Sequence, residues 1–99
     1  MKIIDDNKEQ LSDLCTSDHV GKLYLFGSIL NEKFNDKSDI DLLIQFSSVN
    51  LTEYFDSYMD FKESLENFFK RSVDLVENQT IKSPIFRKVV DRDKKLIYG

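Results

Sequence analysis

The chain has 99 residues, 40% of them hydrophobic, with twelve aromatics and a single proline. That is the length and apolar stock of one globular domain over residues 1–99, too small to enclose a large cleft between two lobes. Fourteen basic against eighteen acidic residues give a net charge of −4, which is not the footprint of a protein that tracks a phosphate backbone, so direct nucleic-acid binding is not expected.

No stretch approaches the roughly 20 apolar residues that a bilayer-spanning helix needs, and Met1 to Asp6 carries no apolar signal core, so no membrane is expected and a cytoplasmic location is. Cys15 is the single cysteine and excludes an internal disulfide; it reads as an ordinary part-buried thiol.

In chain order, Leu11, Leu14 and Cys15 at helical spacing predict a first helix over about residues 5 to 16. His19 falls in the polar turn that follows and reads as a surface residue. Lys22 to Phe26 is a short apolar run between Gly21 and Gly27, which predicts a buried strand. A short helix is expected from Ser28 onward, and Ile40 to Phe46 predicts a second strand. From Leu51 to Lys70, Tyr54, Phe55, Tyr58, Phe61, Leu65, Phe68 and Phe69 recur at steps of three and four, the stripe of a long amphipathic helix. Its aromatics read as core, with an exposed partner patch as the alternative.

Ser72 to Glu77 predicts a third strand. Ser83-Pro84 opens a last helix to about Arg92, with Ser as N-cap and Pro at the first helical position. Lys95 to Tyr98 is short and apolar and is expected either to add an edge strand or to dock the C-terminus, with Lys94-Lys95 as a solvated edge. Strands alternating with helices predict an α/β (α+β) sheet.

Three carboxylates stand out. Asp39 and Asp41 flank Ile40 at the start of a strand, so both point to one face, roughly 6.6 Å apart at Cα. That spacing lets both lean onto one or two metal ions. Asp74 sits inside Val73-Asp74-Leu75-Val76, where an unpaired buried carboxylate would be costly. If its strand lies beside the second, the three converge and require cations between them. The alternative is that Asp39 and Asp41 merely begin a strand while Asp74 faces solvent. Upstream, Gly27 permits close backbone approach to a phosphate, and Ser28 adds a donor at a helix start.

Gly27-Ser28, ten residues, Asp39-Ile40-Asp41 and then Asp74 in a later strand resemble the DNA polymerase beta-like nucleotidyltransferase superfamily. In length the chain resembles the stand-alone minimal nucleotidyltransferases (MNT) paired with HEPN-domain toxins. The resemblance implies a small mixed sheet with helices mainly on one face, and a site in which Asp39, Asp41 and Asp74 hold two Mg²⁺ ions. Asp74 would also help deprotonate the attacking hydroxyl, while Gly27 and Ser28 hold the outer phosphates of ATP or another NTP. It further implies NMP transfer to a hydroxyl of an all-helical HEPN-type partner, hence an antitoxin, with homo- or hetero-oligomers open.

One departure matters. Where many members carry Arg-Gly after the serine, this chain has Asn31-Glu32. Lys33, Lys37 or Arg87 are the candidates for the missing positive charge. The same departure favours a second reading, a catalytically weak or inactive module that neutralises its partner by contact.

Overall fold

In the computed structural model, residues 2–27, 38–47 and 50–99 are described. The elements run α1 (Lys2–Asp6), α2 (Lys8–Ser17), β1 (Val20–Phe26), β2 (Ile40–Phe46), α3 (Leu51–Phe69), β3 (Val73–Glu77), a 3-10 turn (Asn78–Thr80), α4 (Pro84–Asp93) and β4 (Lys95–Tyr98).

The expected first helix is two helices broken at Asn7. Its side-chain amide donates to the Ile3 carbonyl at 2.9 Å, closing α1, while its own carbonyl accepts from Leu11 N–H at 3.0 Å, opening α2. An Asn that serves both ends in this way leaves no glycine or proline signal in the sequence.

α3 begins at Asn50, whose side-chain oxygen accepts from Glu53 N–H at 3.0 Å, and stops at Lys70, a left-handed residue (φ 59°) whose N–H donates to Glu66 O at 2.8 Å. α4 starts as expected, with Pro84 in its first turn and Ser83 Oγ accepting from Phe86 N–H at 3.3 Å.

The four strands form one mixed sheet in the order β3-β2-β1-β4. β1 is antiparallel to both β2 and β4, and β2 runs parallel to β3 through the α3 crossover that a parallel pair requires. Side-chain alternation divides the sheet into two faces. Leu23, Leu25, Ile40, Leu42, Ile44, Val73 and Leu75 face α1, α2 and α3 and form the main core with Leu11, Cys15, Phe61 and Leu65. Tyr24, Phe26, Leu43 and Val76 lie on the other face, where Val90 of α4 covers them in a smaller cluster. Among the described residues, α1, α2 and α3 therefore pack on one face and α4 on the other.

Most of the α3 stripe is core, but Phe55 is 67% exposed and Met59 48%. Cys15 is wholly buried rather than part-buried, and burial, with Asp18 adding to it, pushes its thiol up to about 12. His19 is exposed as expected, in a left-handed turn (φ 62°) whose carbonyl accepts from both Ser47 N–H and Ser47 Oγ at 2.8 Å. Lys94 is not a solvated edge residue: its ammonium donates to Asp91 at 2.9 Å and sits 4.7 Å from the Tyr24 ring centroid.

β3 is an edge strand, and its outer side is held by side chains. Glu66 Oε2 accepts from Val73 N–H at 3.1 Å, Tyr58 hydroxyl donates to the Leu75 carbonyl, and Thr80 Oγ1 donates to the Glu77 carbonyl at 2.8 Å.

Candidate functional site

β2 opens with Asp41 on the face away from the main core, because Ile40 and Leu42 on either side of it are wholly buried against the helices. The parallel register sets Asp41 opposite Asp74, with Ile40 opposite Val73 and Leu42 opposite Leu75. Paired neighbours on adjacent strands stand about 4.8 Å apart, so two carboxylates share one patch of the sheet. Asp41 is half-buried and Asp74 exposed. The apolar neighbours of Asp74 thus mark its strand, not a buried carboxylate; what distinguishes it is its position beside Asp41.

Asp39 is exposed and stands one residue before β2 begins. Among the described residues, no three His, Cys, Asp or Glu side chains close on a point where they alone could hold a metal ion.

Gly27 follows β1 with φ +76°, a conformation that favours glycine. β1 and β2 pair Phe26 with Asp41, which sets Gly27 against the Asp41 carboxylate. A Cβ at Gly27 would come under 3.0 Å from Asp41 Oδ2 and to 3.1 Å from its Cγ, so only the missing side chain leaves room for Asp41 here. Ser28, the short helix expected after it, Asn31, Glu32, Lys33 and Lys37 lie outside the described residues.

Arg87 is engaged within the fold. It donates to Asn78 Oδ1 at 2.7 Å and to the Asn78 carbonyl at 2.5 Å, and stands 3.6 Å from Asp91. These bonds anchor α4 to the turn after β3. Arg71 occupies a place that the sequence reading did not single out: its guanidinium donates to the Ser38 carbonyl at 3.3 Å, one residue before Asp39. That bond, with Ile40 N–H donating to the Ser72 carbonyl at 3.0 Å, ties the start of β2 to the start of β3. Nothing in the sequence signals it, because it depends on the β2–β3 pairing. Tyr58 also lies near the site, its phenol raised by burial and then by the charge on Asp74.

The donor set suits a hard cation. Mg²⁺ is held by one or two carboxylates together with waters and substrate phosphates, so a carboxylate pair beside a bare glycine backbone fits it without a closed protein cage.

Residues 9–99 match the family described as polymerase beta, nucleotidyltransferase. A Methanocaldococcus jannaschii protein that bears the name putative protein adenylyltransferase is 33% identical over 79 residues, spanning 80% of this chain and 76% of its own length. The fold is shared with a solved structure described as a putative minimal nucleotidyltransferase, at 23% identity and TM-score 0.76, covering 95% of this chain and 92% of that one. It is also shared with a chain in the complex of a tri-AMPylated Shewanella oneidensis HEPN toxin with its MNT antitoxin, at 19% identity and TM-score 0.61, covering 96% and 71%. With the family match running through Gly27, Asp41 and Asp74 to the last residue, this chain belongs to the polymerase beta nucleotidyltransferase family.

Proposed function

We propose that residues 1–99 act as one metal-dependent minimal nucleotidyltransferase that moves an NMP, most simply AMP from ATP, onto a hydroxyl of an all-helical HEPN-type protein, and so serve as its antitoxin in the cytoplasm. The observation that carries this reading is the register pairing of Asp41 with Asp74, beside Gly27, on the sheet face opposite α1, α2 and α3. The adenylyltransferase name of the Methanocaldococcus jannaschii relative supports the reaction class, and the AMPylated toxin of the Shewanella oneidensis complex supports the acceptor.

In this reading Asp39, Asp41 and Asp74 would hold Mg²⁺, two ions by the family resemblance, and the chemistry such ions would supply is charge neutralisation on the triphosphate. Gly27 and Ser28 receive the outer phosphates. The acceptor oxygen attacks the α-phosphorus in line, the bond from that phosphorus to the bridging oxygen breaks, and pyrophosphate leaves. Asp74 takes the proton of the attacking hydroxyl. The chain contributes orientation and charge placement, which is the larger part of catalysis in such transfers.

Incubation with Mg-ATP and the all-helical partner, followed by intact-mass spectrometry, is expected to add one or more AMP masses to the partner. Unchanged masses on both chains would overturn the transfer.

A second reading, neutralisation by contact alone, is favoured by the apolar side chains left on the surface: Ile85 is 78% exposed and Phe55 67%. It predicts that Asp39→Asn/Asp41→Asn still binds and silences the partner, whereas the transfer reading predicts binding without silencing.

A further inference from the structure

An edge strand is held by its ladder on one side only, so a carboxylate on it is placed less firmly than one on a central strand. Asp74 is on such a strand, while Asp41, which it faces, is on a strand paired on both sides. Function requires both to hold their places to within about 0.5 Å.

The outer side of β3 supplies what its ladder lacks. Glu66 Oε2 accepts from the N–H of Val73, immediately before Asp74, at 3.1 Å. The Tyr58 hydroxyl donates to the carbonyl of Leu75, immediately after it. Both side chains come from α3, which packs its core stripe on the opposite face of the sheet from the carboxylates. The Tyr58 ring is itself oriented by its neighbours: it stacks on Tyr54 with centroids 6.5 Å apart at 20°, and Tyr54 meets Phe46 of β2 edge-on at 5.2 Å. An aromatic chain thus runs from β2 through α3 to the β3 backbone.

We propose that Tyr58 and Glu66 are positioning residues for Asp74, bracketing it through the backbone on either side and fixing its carboxylate opposite Asp41. The proposal rests on the reading of Asp74 as a site carboxylate. Each side chain acts through the peptide it holds, Tyr58 through the Leu75 carbonyl and Glu66 through the Val73 N–H. Outer partners that orient metal-binding groups change metal affinity by roughly 10- to 100-fold when removed.

The test is a titration of Mn²⁺, followed by electron paramagnetic resonance, into the full 99-residue chain with α,β-methylene-ATP, whose carbon bridge blocks transfer. Tyr58→Phe keeps the ring and its packing and removes only the hydroxyl; it is expected to weaken Mn²⁺ binding roughly tenfold, with a melting temperature in EDTA close to that of wild type. Glu66→Ala is expected to do the same, and Glu66→Gln, which retains an acceptor oxygen for Val73 N–H, to restore wild-type affinity. Adding Tyr58→Phe to Asp74→Asn is expected to cost nothing further, because both act on one carboxylate.

Wild-type affinity in Tyr58→Phe, or a full additive loss in the double variant, would overturn the proposal while leaving the site reading in place. If Asp74→Asn alone binds Mn²⁺ as wild type does, the site reading fails, and the bracket loses its role with it.

Discussion

Asp41 of β2 and Asp74 of β3 face each other across a parallel ladder, two carboxylates on neighbouring strands of one sheet face. Like charges opposed in this way are unfavourable by up to about 1 kcal/mol in the absence of a cation. Asp74→Asn should therefore leave the melting temperature in EDTA unchanged or slightly raised, and should abolish the stabilisation that Mg²⁺ with α,β-methylene-ATP gives wild type. Saturation to about 100 times the dissociation constant adds roughly 2.7 kcal/mol, several degrees for a chain of this size. A variant that still shifts like wild type would remove Asp74 from the site.

Gly27→Ala meets two obstacles, a positive φ and a Cβ driven into the Asp41 carboxylate. The strained backbone alone costs about 1–3 kcal/mol. The Asp41 side chain can swing away, so the protein should fold with reduced stability in urea while nucleotide-dependent stabilisation disappears. Equal retention of both stability and ligand shift would contradict the close approach at Gly27.

Asp18 gives the fold a pH dependence. It is buried at the end of α2, and burial first, then its hydrogen bond and charge contact with Asp60 of α3, push its carboxyl up to about 6, against an opposing effect of His19. A carboxyl raised on folding is protonated more readily in the native chain than in the unfolded one. Its contribution is therefore present in full below about pH 4 and declines as pH rises to about 6, by at most about 3 kcal/mol. Urea midpoints across that window should fall with rising pH, and Asp18→Asn should flatten the slope and raise stability at pH 7. A slope identical in the two proteins would assign the dependence to other groups.

Cys15 should be silent toward thiol reagents in the native state. Its thiol is wholly buried and pushed up to about 12, so the reactive thiolate is scarce at ordinary pH. Labelling by a disulfide reagent at pH 8 should proceed only at the rate at which the chain opens, and should accelerate in urea. Rapid labelling of native protein would place α2 away from the sheet.

The strands, the long helix and the Ser83-Pro84 helix start were legible because each rests on local periodicity or a local cap. Gly27, Asp39 and Asp41 stood out for the same reason, since strand alternation is local. The pairing of Asp41 with Asp74 was not legible, because register is a property of two strands brought together by α3. The apolar neighbours of Asp74 left two readings open, a compensated carboxylate among them or one facing solvent; it is exposed, because those neighbours belong largely to the opposite face. Tyr58 looked like one more core aromatic; its hydroxyl bond to Leu75 appears only when helix and edge strand meet. The break at Asn7 was hidden because Asn both ends α1 and begins α2 with ordinary helix formers on either side.

The side chains along the outer border of β3 also govern how the molecule can associate. An incoming strand would need the Val73, Leu75 and Glu77 backbone groups that Glu66, Tyr58 and Thr80 already engage, and it would have to displace all three to lengthen the sheet. Sheet-to-sheet polymerisation is thereby discouraged at this border. The apolar side chains Ile85, Phe86 and Val89 of α4, by contrast, carry no such guard among the described residues and remain exposed.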